Sequence, residues 1–162
     1  MWKVVTWLNK PNETQNFLPS DDNWYIDYLP FKASTAIEEG SVIAPEISGN
    51  TTTGYITKFS TENATGADFM WILAEPITAT DDDYATAGKL KAVYIPKTPY
   101  AKAYFTVWAG TFTAVDVFKT VEIHSDSKSL AVDTAWKWAR IMKYISSTRW
   151  ECRFSLPETE TA

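Results

Sequence analysis

Three consecutive residues, His124-Ser125-Asp126, are of the types found in a hydrolase triad. Nucleophilic catalysis needs a base beside the nucleophile and a third group that orients the base, and neighbours along a chain do not supply that arrangement. The trio also lies between two β-branched runs, 121–123 and 130–132, which predicts a hairpin loop. We interpret these residues as turn chemistry, so the sequence predicts no catalytic residue and no enzyme.

A second cluster, Asp81-Asp82-Asp83, offers carboxylate oxygens that could bind Ca²⁺. It lacks the ligand spacing and the closing glutamate of an EF-hand, and we interpret it as a solvated turn. With one histidine, His124, and one cysteine, Cys152, the chain is a poor candidate for a His/Cys zinc site. We therefore expect no metal and no cofactor. We interpret Cys152, on the apolar face of a predicted strand, as a small buried hydrophobe rather than a reactive thiol.

The abundance of aromatic residues is the unusual feature of the composition. They make up 15% of the chain, with eight tryptophans, and several lie among the turn and breaker residues of the first thirty positions. Tryptophan and tyrosine are favoured anchors of protein interfaces. We predict that a partner or a second subunit is contacted by Trp2, Val4, Trp7, Leu8, Phe17, Trp24, Tyr25 and Tyr28. The alternative is an arm that packs on its own domain.

Composition and charge restrict the class of protein further. The chain has 162 residues, enough for one globular domain, and a formal net charge of −5. Its fifteen basic residues are scattered, with no basic stripe, which argues against nucleic acid or an anionic membrane as the partner. The longest strongly apolar run, Phe69–Ala74, is far shorter than the roughly 20 residues that span a bilayer. Without a signal-peptide pattern or a cysteine pair, we expect a protein made and kept in a reducing cytosol.

The elements that must position these residues are predicted to be short strands. From Phe31 onward, β-branched runs of two-fold periodicity alternate with turn residues, which is typical of an all-β protein. In the run 89–95, for example, Leu90, Ala92 and Tyr94 should point one way and the residues between them the other. A last hairpin is predicted from 139–145 and 149–156, with a short helical turn near Trp136. The rival interpretation is a helix over 133–145.

These patterns predict the domain organisation and the core. We expect an N-terminal arm over residues 1–30, a β domain over 31–156 and a polar C-terminal tail over 157–162. The predicted core residues are Val42, Ile56, Ile72, Leu90, Val93, Phe105, Val107, Val121, Ile123, Val132, Ile141, Cys152 and Phe154.

The order of several segments resembles a known family. Phe31–Ile43, which contains Ile37-Glu38-Glu39-Gly40-Ser41-Val42, is followed by Trp71–Thr78, Leu90–Pro96 and Gly110–Thr113. This succession is similar to that of the small capsid decoration proteins of tailed bacteriophages, also called head-stabilising or cement proteins. The resemblance covers residues 31–156 and rests on strand-and-turn rhythm.

The resemblance implies a fold and a function. The fold would be a compact β-barrel or β-tulip-like domain, here with an extended N-terminal arm. Such a domain would bind the outer surface of an assembled phage capsid and stabilise it by bridging neighbouring capsomers. It implies the major capsid protein as partner, a homo-oligomer, preferably a trimer, and a location on the virion after synthesis in the host cytoplasm. The alternative is a carbohydrate- or receptor-binding β module of a phage fibre or tail.

Overall fold

The protein is nearly all β, as the sequence predicts. The computed structural model describes residues 16–60, 71–105, 113–123, 126–131, 139–146 and 149–154. One short 3-10 turn, Ala114–Asp116, accompanies the strands of these ranges. The strands are β1 (Leu18–Pro19), β2 (Trp24–Phe31), β3 (Val42–Ser48), β4 (Thr51–Lys58), β5 (Trp71–Leu73), β6 (Lys89–Pro96), β7 (Lys102–Phe105), β8 (Thr120–Ile123), β9 (Leu130–Ala131), β10 (Ala139–Ser146) and β11 (Arg149–Phe154).

Five strands form a closed barrel in the order β2-β4-β3-β5-β6. The longest pairing in it is antiparallel, between β2 and β6, and runs from Trp24 opposite Pro96 to Phe31 opposite Lys89. The barrel closes between β2 and β4 through one parallel bridge, Phe31 opposite Ile56. The expected barrel is therefore present, and its first strand comes from the segment predicted as an arm.

The second sheet has six strands in the order β1-β7-β11-β10-β8-β9. Strands β10 and β11 form the predicted antiparallel hairpin, so the helix interpretation is wrong for the described residues from Ala139 onward. The predicted hairpin of β8 and β9 is also present. The predicted helical turn near Trp136 lies outside the described residues.

The core has two compartments, because three barrel strands are buried on both faces. One compartment fills the barrel and the other lies between the barrel and the second sheet. Adjacent residues of a strand point to opposite faces, so each apolar doublet contributes one side chain to each compartment. The doublets that do this are Val42-Ile43, Ile72-Leu73 and Val93-Tyr94.

Most of the predicted core is confirmed, with one error. Leu90 is 60% exposed, because it lies on the outer face of β6 beyond the area covered by the second sheet. Phe154 is partly buried against the core between the sheets, and Val107 and Val132 lie outside the described residues. The confirmed buried residues are Val42, Ile56, Ile72, Val93, Phe105, Val121, Ile123, Ile141 and Cys152.

The predicted arm is wrong for its second half. Residues 18–19 and 24–31 are strands of the two sheets, and the breaker residues between them build a tight turn. In that turn the Asn23 amide donates to Asp21 Oδ1 at 3.1 Å, which fixes the connection between β1 and β2. Breaker residues therefore mark a connection here rather than an irregular segment. Residues 1–15 and the tail over 157–162 lie outside the described residues.

Candidate interaction surface

Asp126, the acidic residue of the His124-Ser125-Asp126 trio, stabilises a loop. The Asp126 carboxylate accepts hydrogen bonds from the Lys128 amide at 2.8 Å and from the Ser129 amide at 3.2 Å. The Ser129 hydroxyl also donates to both carboxylate oxygens, at 3.1 and 3.0 Å. These bonds hold the loop between β8 and β9, as the turn interpretation expects. His124 and Ser125 lie outside the described residues.

The Asp81-Asp82-Asp83 cluster is a turn held by its own hydrogen bonds. Asp81 accepts from the Thr78 amide at 2.9 Å and from the Thr78 hydroxyl at 2.8 Å, and these bonds lower the pKa of its carboxyl. Lys91 Nζ lies 3.1 Å from Asp83 Oδ1 and 3.8 Å from Asp81 Oδ2. A cation therefore already occupies the place between the two carboxylates. Within the described ranges, no group of three or more His, Cys, Asp or Glu side chains is placed to hold a metal ion.

Cys152 is a core residue, as predicted. Its side chain is fully buried between the barrel and the second sheet. Burial raises the pKa of the Cys152 thiol well above its usual range, because the thiolate would lose its hydration there. The neighbouring Arg149 and Arg153 alternate with it along β11 and point away from it. The thiol is therefore packed rather than activated.

The most conspicuous surface feature is apolar and lies on the barrel. Ile26, Tyr28 and Leu90 are 44%, 60% and 60% exposed and share the outer face of the β2–β6 pair. We call these three residues the barrel patch. In the register of this pair Tyr28 is opposite Ala92 and Leu90 is opposite Pro30, so Tyr28 and Leu90 are diagonal neighbours across the two strands.

The barrel patch continues the core between the sheets out to the surface. At the other end of the same outer face, Trp24 and Tyr94 are buried against the second sheet. Burial then decreases along the two strands, through Ala92, which is partly buried, to the exposed Tyr28 and Leu90. One apolar face thus begins under the second sheet and ends in solvent, which is how a surface that a partner completes would look.

The edge of β2 is unsuited to adding another strand. The Lys97 amide donates to the Asn23 carbonyl at 2.7 Å, so the odd-numbered residues of β2 bond β6 and the even-numbered ones face the other edge. At that edge the Tyr28 amide donates to Asp27 Oδ1 at 2.8 Å, and Pro30 has no amide proton. A charge and a proline are common means of blocking edge-to-edge pairing. The barrel patch therefore offers a partner its side chains and not a strand edge.

The structure divides the predicted contact residues into three groups. Phe17 and Trp24 are wrong as surface anchors, because both are buried in the core between the sheets. The Trp24 indole also donates to the Lys102 carbonyl at 2.8 Å and so joins the barrel to β7. Tyr28 belongs to the barrel patch, and Tyr25, which is 46% exposed, lies on the opposite face of β2. Trp2, Val4, Trp7 and Leu8 lie outside the described residues.

Sequence reasoning missed Ile26 and Leu90 as surface residues. The signal for Ile26 was present, because Trp24, Ile26 and Tyr28 recur at the two-residue period of a strand. Leu90 lies on the same face of β6 as the buried Tyr94. It is exposed only because the second sheet does not extend over it.

Comparisons with family models, curated proteins and solved structures gave no match for this chain. Across the described parts of the chain, no helix has the length and apolar character needed to cross a membrane.

Proposed function

We propose that this protein is a virion structural protein that decorates the outer surface of a phage capsid and stabilises it by bridging neighbouring capsomers. The observation that carries the proposal is the barrel patch, an exposed apolar face on two fully paired strands. The resemblance of residues 31–156 to capsid decoration proteins supports it. Strand backbones fixed by eight paired positions present these side chains at a low entropy cost on binding.

The barrel patch suits a repeated contact of moderate strength. A tyrosine buries about 150–250 Å² when it is covered, and Tyr28 lies beside two aliphatic side chains. Such a contact is small for a lone pair of proteins, since stable interfaces bury about 1,200–2,000 Å². On a lattice, each decoration subunit gains avidity from several contacts at once. The proposed partner is the major capsid protein, and the proposed assembly is a homo-oligomer, preferably a trimer.

The first test uses undecorated shells assembled from the major capsid protein encoded in the same genome. Wild-type protein should cosediment with the shells at a fixed stoichiometry. The double variant Tyr28→Ser/Leu90→Ser should cosediment at a small fraction of that level, because it removes the apolar contact without disturbing the core. The matched control Val115→Ser/Ile145→Ser changes two exposed apolar residues away from the barrel patch, one in the 3-10 turn and one on β10, and should bind as wild type does. Saturable binding to a glycan, without binding to shells, would instead support the fibre or tail module.

The N-terminal contact residues need a separate test. Deleting residues 1–10 removes Trp2, Val4, Trp7 and Leu8 and should leave the β domain folded. We expect it to weaken shell occupancy or subunit association, measured by cosedimentation and by light scattering after gel filtration. A truncated protein that decorates and oligomerises like the full chain would remove these residues from the proposed interface and leave the barrel patch in it.

A further inference from the structure

The outer face of the second sheet, which faces away from the barrel, concentrates positive charge. In the register of this sheet Arg140 on β10 is directly opposite Arg153 on β11, and Arg153 is directly opposite Lys102 on β7. We call these three residues the cationic row. The residues next to Arg153 in the alternation, Cys152 and Phe154, face the core, so the row points outward.

A β-bulge adds a fourth cation beside the row. The register of β10 shifts between Ile141, which is opposite Cys152, and Lys143, which is opposite Glu151. This extra residue turns Lys143 outward, next to the row, and brings Tyr144 against Trp150 with ring centroids 4.8 Å apart. Glu151, which is opposite Lys143, contributes a carboxylate beside the row, and β8 of the same sheet contains Glu122. The row and Lys143 thus bring four cations together in a chain whose net charge is −5.

The register places like charges directly opposite each other in the row, at Arg140–Arg153 and at Arg153–Lys102. Like charges directly opposite each other across paired strands are destabilising. Lys102 has a long ion pair, with Nζ 3.7 Å from Glu151 Oε1, and Arg153 lies over the Tyr100 ring at 5.6 Å. The Nε–H group of Arg153 is buried and donates to no acceptor among the described residues. Like-charged neighbours that oppose the stability of a sheet are typical of a binding site, where local rules of stability give way to function.

Exposed aromatic side chains flank the cationic row at both ends. Tyr100 lies at the Arg153 and Lys102 end, and Phe118 lies at the other, where its carbonyl accepts a hydrogen bond from Arg140 Nη1 at 3.0 Å. Phe118 has a φ of +72°, a conformation that a bulky residue adopts only under strain. Its amide donates to the Ile141 carbonyl at 2.7 Å, so the backbone at Phe118 is anchored to β10. Arginine combined with aromatic side chains is the composition of interface hot spots.

We propose that the cationic row is a second binding site, which takes an acidic segment of another protein, rich in Asp and Glu. Arginine guanidinium groups bind carboxylates in a bidentate geometry, and Tyr100 and Phe118 provide apolar contacts at the ends. The row spans three strands spaced about 4.8 Å apart, which suits two or three carboxylates. Nucleic-acid binding commonly rests on about 6–10 phosphate contacts, and the acidic remainder of the chain repels a long polyanion. This proposal stands on the second sheet and is independent of the barrel patch.

The site can be tested with a fluorescein-labelled peptide of glutamates and its glutamine counterpart, by fluorescence polarisation at low ionic strength. Wild-type protein should bind the glutamate peptide saturably, should not bind the glutamine peptide, and should lose the peptide as salt is added. The triple variant Lys102→Gln/Lys143→Gln/Arg153→Gln should bind at least about tenfold more weakly. The control Lys32→Gln/Lys97→Gln/Lys128→Gln has the same charge change elsewhere and should keep the affinity within about twofold.

Three results would overturn the proposal. They are the absence of saturable binding by wild-type protein, an equal loss of affinity in the two triple variants, and tighter binding of an oligothymidine of equal charge than of the peptide. The melting temperature provides a second readout, because removing mutually repelling cations should leave it unchanged or raise it. If the triple variant fails to fold, Lys143→Gln alone, at an exposed position, should still weaken peptide binding measurably, and unchanged binding would count against the site.

Discussion

Tyr28 and Leu90 are diagonal neighbours across the antiparallel pair β2–β6, and each is 60% exposed on the same outer face. Along these two strands the same face passes under the second sheet, where Trp24 and Tyr94 are buried. The sheet that covers one end of this face stops before the other. An apolar face that is half covered within the molecule is the physical basis for the proposal that a capsid contact lies here.

Phe105 should be a major contributor to stability. It is buried between the sheets and stacks on Phe17 with ring centroids 6.3 Å apart. Phe105→Ala should lower the free energy of unfolding by about 3–5 kcal/mol, because it leaves a cavity that its neighbours fill only partly. Urea denaturation measures the loss. The exposed Phe118→Ala is the matched control and should change the free energy by less than about 0.5 kcal/mol. A loss below about 1 kcal/mol at Phe105 would contradict its place in the core.

Gly40 should be far less tolerant of a side chain than Gly49. Both have a positive φ, +79° and +64°, so alanine at either position would lower stability by about 1–2 kcal/mol, because its Cβ is disfavoured in the left-handed region. A Cβ at Gly40 would also lie 2.7 Å from Asn16 Cβ and 2.9 Å from the Phe17 carbonyl oxygen, whereas the space at Gly49 is open. Gly40→Ala should therefore lower the melting temperature clearly more than Gly49→Ala. Equal effects would show that the chain around Phe17 is not packed on this turn.

The Asp81–Asp83 turn should be independent of metal. Lys91 already lies between the carboxylates, and Asp81 is engaged by Thr78. Neither a chelator nor added Ca²⁺ should shift the melting temperature. Asp81→Ala should lower it, since the Thr78 amide and hydroxyl lose their acceptor, while Asp82→Ala, at an exposed position, should not. A large drop in melting temperature on adding chelator would show that this cluster is a metal site and would contradict the interpretation as a turn.

Cys152 should be inert in the folded protein and should make stability depend on pH. Its folded pKa is raised by burial, so its contribution to stability is complete below the ordinary thiol pKa of about 8.5 and is lost as the pH rises through the folded value. The stability of wild type relative to Cys152→Ala should therefore fall between neutral pH and a pH near 10. A thiol reagent should modify Cys152 only after unfolding. Rapid modification of native protein would contradict the burial.

Local periodicity was sufficient to predict several of the strands after Phe31. The alternation in 89–95 and 149–154 gave the correct faces, since Val93 fills the barrel while Cys152 and Trp150 face the core between the sheets. Gly40 marked its turn through its conformational freedom, with a φ of +79°. These features depend on neighbouring residues, so they can be derived from the chain alone.

The predictions that failed concern features that depend on which strands pair with each other. The basic residues are scattered in the sequence, yet the register places Arg140, Arg153 and Lys102 side by side on three strands. The bulge after Ile141 reverses the faces of Lys143 and Tyr144, and no residue in that run signals it. Leu90 and Tyr94 have the same parity, and only the reach of the second sheet separates an exposed from a buried side chain. Residues 18–19 and 24–31 became strands because distant partners, β7 and β6, pair with them.

The most direct test of the proposed function is photo-crosslinking from the barrel patch. Benzoylphenylalanine in place of Tyr28, or in place of the exposed Val115 as control, is introduced into protein that is then bound to undecorated shells and irradiated. We predict that the probe at position 28 links to the major capsid protein and that the probe at position 115 does not. Crosslinks to the shell from position 115 alone, or none from position 28 on shells that carry the protein at full occupancy, would contradict the account.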